Sequence, residues 1–168
     1  MKNWMWTGVC AALLAVNPMM SANAGSRLGL GLNYWVALDD VEVDDVDENG
    51  FSYYLTYQYH AGKLIGFQAD LEFIPSRFGN DAWAPQGYLV LGNALYAAVG
   101  AGWVYTDGSF ADEPFFAFRA GLDLEVLPGI HLDLNANYRF NDKTDLEGSD
   151  TNIDTDTIFF GAALRFGF

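Results

Sequence analysis

Eight charged side chains occur in segments where apolar residues alternate with polar or small ones. They are Asp70, Glu72, Arg119, Asp123, Glu125, Asp133, Arg139 and Arg165. Successive side chains of a β-strand point to opposite faces, so all eight share the face opposite the apolar residues. Charges enclosed within a fold have to be paired, because an isolated buried ion is costly. The set therefore predicts either a salt-bridged core or a gated path for ions.

An acidic segment, residues 39–50, carries seven carboxylates and no basic residue. Within it, Asp45, Asp47 and Asn49 followed by a glycine match the opening of a calcium-binding D-x-D-x-N-G loop. The twelfth position is Thr56 instead of the bidentate glutamate, which excludes a true EF-hand. The segment is either a weak divalent-cation site, with calcium as the candidate, or a solvated and repulsive loop. No other cofactor is indicated.

Both histidines of the chain, His60 and His131, lie beside short turns of the sequence. Asp133 shares the face of His131, which supplies two of the three groups of a hydrolase triad. No serine or threonine is evident on that face beside them, and a triad needs its nucleophile within hydrogen-bond reach. The sequence therefore predicts a protein that is not an enzyme.

The first 24 residues have the organisation of a secretory signal peptide. Lys2 precedes an apolar run at residues 7–16, and residues 22–24 form an A-x-A cleavage site. The run is about half the roughly 20 residues that a membrane-spanning helix needs. Cleavage leaves residues 25–168 as one predicted domain, without cysteine because the only one is Cys10.

The composition excludes several classes of protein. Lys and Arg number 8 against 22 Asp and Glu, which gives a formal net charge of −14. Binding to nucleic acid needs clustered basic residues, so nucleic acid is not an expected partner. A hydrophobic content of 51% with 16% aromatics argues against disorder. After the signal peptide, no segment has the 18 consecutive apolar residues that indicate a transmembrane helix.

Eight segments alternate with the period of a β-strand. They are residues 28–38, 51–60, 65–73, 83–91, 95–105, 116–126, 130–140 and 158–168, of which 83–91 is ambiguous. Long polar connections at 39–50, 74–82, 106–114 and 141–156 alternate with tight turns near Gly62, Gly92 and Pro128. An even strand number with this loop asymmetry predicts an all-β, eight-stranded, antiparallel up-and-down transmembrane β-barrel.

A soluble eight-stranded barrel of the lipocalin type has the same period, so side-chain size has to decide which face points inward. The apolar face carries no charge and many large side chains, among them Trp103, Phe116, Phe118, Tyr138 and Phe160. The interior of an eight-stranded barrel is only wide enough to be filled by side chains. The small residues and few charges of the other face fit there, and we expect the apolar face to point to lipid.

Pairing of the last two predicted strands gives the inward charges relative heights. Counted from the turn at Pro128, Arg165 and Asp133 lie near the short-turn end. The other two arginines lie higher, within reach of Asp70 and Glu72 across the lumen. Because eight strands leave no open channel, the salt-bridged core is favoured over the ion path.

With these features the chain resembles the small eight-stranded outer-membrane barrels of Gram-negative bacteria, the OmpA/OmpX type, over residues 27–168. The resemblance rests on the signal peptide, the strand number, the loop asymmetry and the C-terminal Phe-Gly-Phe. It implies a monomer in the cell outer membrane, in contact with outer-membrane lipids and lipopolysaccharide. It also implies that the barrel-assembly machinery recognises the apolar face of the last strand, formed by Phe160, Leu164, Phe166 and Phe168.

The fold does not fix an activity, so the functional expectation rests on the loops. We expect a structural or interaction role, in envelope integrity or surface contact, through the acidic extracellular loops 39–50 and 141–156. A small porin-like channel for ions or small solutes is the alternative. A lipid-modifying outer-membrane enzyme is a weaker alternative.

Overall fold

The computed structural model describes residues 25–38, 49–75, 80–106, 108–145 and 152–168. The strands are β1 (Gly25–Ala37), β2 (Asn49–His60), β3 (Ile65–Ile74), β4 (Ala82–Gly92), β5 (Leu95–Gly102), β6 (Tyr105–Thr106), β7 (Ser109–Phe110), β8 (Phe115–Leu127), β9 (Ile130–Asp145) and β10 (Asn152–Gly167). Eight of these are long, and β6 and β7 have two residues each. In the described part of the chain, no helix is long and apolar enough to cross a membrane.

Antiparallel pairing closes the eight long strands into a barrel. Each long strand pairs with the next one along the chain, and β1 pairs with β10 to close the ring. The ladder partners that start from Gly50 on β2 lead around the barrel and return to β2 at His60, ten residues farther along. This stagger tilts the strands and sets an interior that side chains fill. The predicted fold class is confirmed.

Strand alternation decides which side chains enter the interior. On β2, Phe51, Tyr53 and Leu55 are exposed on the outer wall, whereas Tyr54 and Thr56 are buried inside. The same parity holds along the other long strands, with an uninterrupted apolar face outside and a mixture of small, polar and aromatic side chains inside. The expectation based on side-chain size is therefore correct.

The segment that the sequence left ambiguous, residues 83–91, lies in β4 and alternates like the others. Gln86 and Tyr88 are buried in the interior, and Leu89 is exposed on the outer wall. Gly87 lies on the outer face, where an added Cβ would meet no atom within 4 Å. A small residue on the lipid side had blurred the pattern without changing its period.

The short connections are tight turns at one end of the barrel. Gly62, Gly92 and Gly129 have φ angles of 147°, 118° and 75°, a region that glycine adopts without steric cost. The predicted turns are confirmed.

Two predicted long loops are shorter in the structure. β9 continues to Asp145 and β10 begins at Asn152, so paired strands extend into the predicted loop 141–156. The predicted loop 106–114 contains part of a small hairpin formed by β6 and β7. Main-chain groups alone form the ladder, so pairing continues where the apolar alternation has ended.

Candidate functional site in the barrel interior

Near the short-turn end, the carboxylate of Asp123 on β8 contacts three side chains. Asp123 Oδ2 accepts hydrogen bonds from Arg27 Nη1 at 2.7 Å and from Arg165 Nη1 at 3.1 Å. Asp123 Oδ1 lies 2.7 Å from His131 Nδ1. The partners come from β1, β10 and β9, so this carboxylate links the two strands that close the barrel, β1 and β10, to β9 and β8.

Arg165 connects this cluster to a second carboxylate. Its Nη1 also donates to Asp133 Oδ2 at 3.0 Å, and that oxygen accepts the Tyr96 hydroxyl at 2.7 Å. Both Arg165 and Asp133 are fully buried. The ladder places Arg165 opposite His131, two residues from Asp133, so the guanidinium reaches its partner along the diagonal.

Halfway along the lumen, Arg119 of β8 pairs with Asp70 of β3. Arg119 Nη1 donates to Asp70 Oδ2 at 2.8 Å, and both side chains are buried. The Gln68 amide donates to the two oxygens of Asp70 at 2.9 and 3.0 Å. The guanidinium carbon of Arg119 lies 4.0 Å from the centre of the Tyr88 ring, a cation–π contact. These contacts offset the cost of removing the pair from water.

Nearer the long-loop end, Arg139 of β9 pairs with Glu72 of β3. Arg139 Nη2 donates to Glu72 Oε2, which also accepts from Gln86 Nε2 at 3.1 Å. Glu72 Oε1 accepts from Asn33 Nδ2 at 2.6 Å and from the Ser52 hydroxyl. One cation and three neutral donors therefore compensate this buried carboxylate.

Apolar side chains close the lumen above this pair. They form a cluster, here called the apolar lid, of Trp35, Ile74, Ala82, Ala84, Val104, Phe115 and Phe159. Each of these residues is at most 1% exposed. The guanidinium carbon of Arg139 lies 3.8 Å from the centre of the Phe159 ring and 4.8 Å from that of Phe115. The lid thus rests directly on the uppermost ion pair.

Five large rings of the interior each lie over a glycine directly opposite on the neighbouring strand. The pairs are Trp35–Gly50, Tyr54–Gly31, Tyr88–Gly100, Tyr96–Gly121 and Phe115–Gly102. A Cβ added at Gly31 would come within 2.2 Å of the Tyr54 ring, and one at Gly100 within 2.4 Å of the Tyr88 ring. Glycine on one strand gives room to the ring on the next, and the rings fill the lumen.

The charges described in the interior balance. Four arginines and four carboxylates form the ion pairs, namely Arg27, Arg119, Arg139 and Arg165 with Asp70, Glu72, Asp123 and Asp133. A balanced and paired set leaves no charge of these eight uncompensated and offers no excess charge to attract a permeating ion.

Two residues depart from the sequence prediction. Glu125, predicted to join the lumen network, is exposed, and its Oε1 accepts a hydrogen bond from the Gly129 N–H at 2.9 Å. β8 reaches the rim of the barrel here, and its register with β9 shifts directly after Glu125, so the side chain meets solvent. Arg27 takes part in the network and was missed. The available signal was its parity, two residues before the inward Gly29.

The remaining candidates from the sequence are His60 and the three possible calcium ligands. His60 ends β2, and its buried Nδ1 has no hydrogen-bond partner among the described residues. Asp45 and Asp47 lie outside the described residues, and Asn49 is the exposed first residue of β2. Within the described ranges, no group of three His, Cys, Asp or Glu side chains is arranged to hold a metal ion.

The outer wall is apolar around the barrel, and many of its large side chains are exposed. Phe160, Leu164, Phe166 and Phe168 form the outer face of the last strand and its end, and Phe168 is 78% exposed. An apolar surface of this extent indicates a membrane-facing wall. The family model of the outer membrane protein beta-barrel domain matches residues 9–166. The chain belongs to this family.

Solved outer-membrane barrels share the fold of this family member. Neisserial surface protein A is 13% identical, covers 86% of this chain and 97% of its own, and has a TM-score of 0.53. The outer membrane protein AlkL is 15% identical over 90% and 95%, with a TM-score of 0.54. OprG from Pseudomonas aeruginosa is 11% identical over 86% and 96%, with a TM-score of 0.51. No curated protein matches the sequence.

This outer membrane barrel is located in the cell outer membrane, so its apolar wall meets hydrocarbon. Outward aromatic side chains lie near both ends of the wall, with Trp83, Trp103 and Tyr105 toward the long loops and Tyr59 and Phe166 toward the short turns. Rings at these two levels are typical of the aromatic girdles of transmembrane barrels.

Proposed function

We propose that this outer membrane barrel has a structural and interaction role, in which a closed barrel holds acidic loops at the cell surface. The observation that supports this proposal is the filled interior. Three levels of ion pairs, at Asp123, Asp70 and Glu72, lie beneath the apolar lid.

Passage of a solute along this interior would require the ion pairs to open. Breaking one buried pair costs roughly 3–5 kcal/mol, and the levels at Asp123, Asp70 and Glu72 follow one another along the axis. The lid adds apolar side chains, and these offer a polar solute no hydrogen bonds to replace the ones that it makes with water. The packed interior therefore favours an anchor over the porin-like alternative.

The long connections supply the surface that such an anchor presents. Residues 39–50 carry seven carboxylates, and the extended end of the β9–β10 hairpin with its connection, residues 141–156, carries six against one lysine. A rigid barrel positions loops of this kind for binding, since loops carry recognition when a scaffold fixes their ends. Carboxylates concentrated there favour a basic partner surface and repel other anionic surfaces.

The proposal is tested in cells that express loop variants. One variant replaces every Asp and Glu of residues 39–48 by Asn or Gln, and a second shortens residues 146–151. We expect less adhesion to basic surfaces, or a more permeable envelope, at an equal amount of folded barrel. A matched control is Gly87→Ala, a change on the open outer wall. Unchanged adhesion and unchanged permeability in both loop variants would contradict the proposal.

A further inference from the structure

The outer wall contains an apolar groove that crosses five strands. Ala97, Ala120 and Ala136 form its floor and are direct neighbours across the ladder. Leu91 lies at one end of the groove and Phe160 at the other, and its volume is about 480 Å³. Its wall toward the long loops consists of larger side chains, Val99, Phe118, Tyr138 and Ile158.

The dimensions of the groove match one leaflet of a bilayer. Leu91 and Phe160 are four ladder steps apart, which corresponds to roughly 19 Å at about 4.8 Å per step. Because strands in such barrels tilt by about 35–45°, the groove descends by roughly 12 Å along the barrel axis. Half of a hydrocarbon core of about 30 Å is of similar depth.

The groove also lies in the half of the outer wall that one leaflet covers, the half next to the short turns. Leu91 is followed at once by the short turn at Gly92, whereas Phe160 lies near the middle of β10. The groove therefore runs from the short-turn rim to about the middle of the wall. A hydrocarbon chain that enters from that rim would end near the bilayer centre.

We propose that this groove binds one acyl chain of a phospholipid from the leaflet at the short-turn end. The wall meets hydrocarbon, so the occupant has to be apolar. A second copy of the barrel is a poorer occupant, because a two-fold contact would set one recess against another and leave space unfilled.

A positive charge lies beside the lower end of the groove, where a phosphate would be. The Gly92 N–H donates to the Leu64 carbonyl at 2.8 Å, which brings the turn that contains Lys63 against this rim. Lys63 is exposed, whereas the arginines that the structure describes form ion pairs in the lumen. Ammonium groups at this level attract anionic lipid headgroups.

The test uses native mass spectrometry of the purified full-length barrel with phosphatidylglycerol. It counts the lipid molecules that stay bound when the protein is released from detergent. We expect wild type to retain one lipid. Ala120→Phe fills the floor and should lower retention roughly tenfold. Ala69→Phe, an outward alanine of β3 that is not part of the groove, should retain the lipid like wild type. Lys63→Gln should weaken retention roughly fivefold through loss of the phosphate contact.

A shift in gel mobility between heated and unheated samples reports whether each variant is folded. Ala136→Leu fills the groove with a smaller side chain and replaces Ala120→Phe if the latter does not fold. Equal lipid retention by wild type and a folded groove variant would overturn the proposal. Paired barrels without bound lipid would also overturn it and assign the groove to a second copy.

Discussion

Arg139 stacks on Phe159, with its guanidinium carbon 3.8 Å from the centre of the ring, while its Nη2 donates to Glu72. The arginine thus belongs both to the uppermost ion pair and to the underside of the apolar lid. Lid and ion pairs are one packed unit, and a change at this side chain disturbs both.

Removal of Arg139 is expected to destabilise the barrel strongly. Arg139→Met leaves Glu72 buried without its cation, which costs roughly 3–5 kcal/mol. The double variant Glu72→Gln/Arg139→Met carries no uncompensated charge and should be more stable than Arg139→Met alone. Urea unfolding in detergent micelles measures both, with the exposed Glu125→Gln as control. A change within about 0.5 kcal/mol for Arg139→Met would show that this pair does not stabilise the fold.

Glycines beneath the inward rings should not tolerate a methyl group. Gly31→Ala places a Cβ against the Tyr54 ring, and the strain is expected to cost roughly 1–3 kcal/mol. Gly87→Ala is the matched control, since that position has open space on the outer wall. Thermal unfolding followed by gel mobility compares the two variants. Equal stabilities would mean that the register of ring over glycine is not a packing constraint.

Arg165→Ala should insert into the membrane but weaken the closure of the barrel. The outer face of β10 is unchanged, whereas Asp133 loses its arginine and Asp123 keeps Arg27. We expect a loss of roughly 3 kcal/mol in unfolding free energy, partly recovered when Asp133→Asn is added. Folded protein in membrane fractions and the urea midpoint are the two measurements. Failure of Arg165→Ala to insert would place its role in assembly instead.

Phe168→Asp should impair insertion in cells. A charge near the membrane interface costs only about 0–1 kcal/mol in barrel stability, so a large loss of inserted barrel would indicate recognition of the last strand. Leu127→Asp is the matched control, because Leu127 is exposed at the same rim on β8. The amount of folded protein in the outer membrane is compared. Normal insertion of Phe168→Asp would remove the proposed assembly signal.

The wild-type barrel should show no stable conductance in planar lipid bilayers. The ion pairs at Asp70 and Glu72 and the ring of Phe159 occupy the interior at successive levels. A large porin reconstituted in the same way serves as the positive control. Large and stable conductance steps from the purified barrel would contradict the closed interior and favour the porin-like alternative.

The sequence alone predicted the strands, the turns and the two faces of each strand. These are local properties. A period of two fixes the face of the strand to which each side chain points, and glycines with positive φ lie in the turns of the hairpins. The loss of this signal at Gly87 and the extension of β9 to Asp145 mark its limit. Main-chain pairing continues where side-chain type no longer alternates.

The sequence correctly placed Arg165 level with Asp133, whereas only the tertiary structure decided that Arg119 pairs with Asp70, Arg139 with Glu72 and Arg27 with Asp123. Parity places Arg119, Arg139 and Arg165 inside, yet their partners depend on the stagger that carries the ladder from Gly50 to His60 around the barrel. That stagger is a property of the closed sheet, since each register is fixed only when all eight strands pair. It also sets each ring over a glycine and aligns the three alanines of the outer groove. The sequence therefore determined the face to which each side chain points, and closure of the barrel determined the exact contacts of the inward side chains.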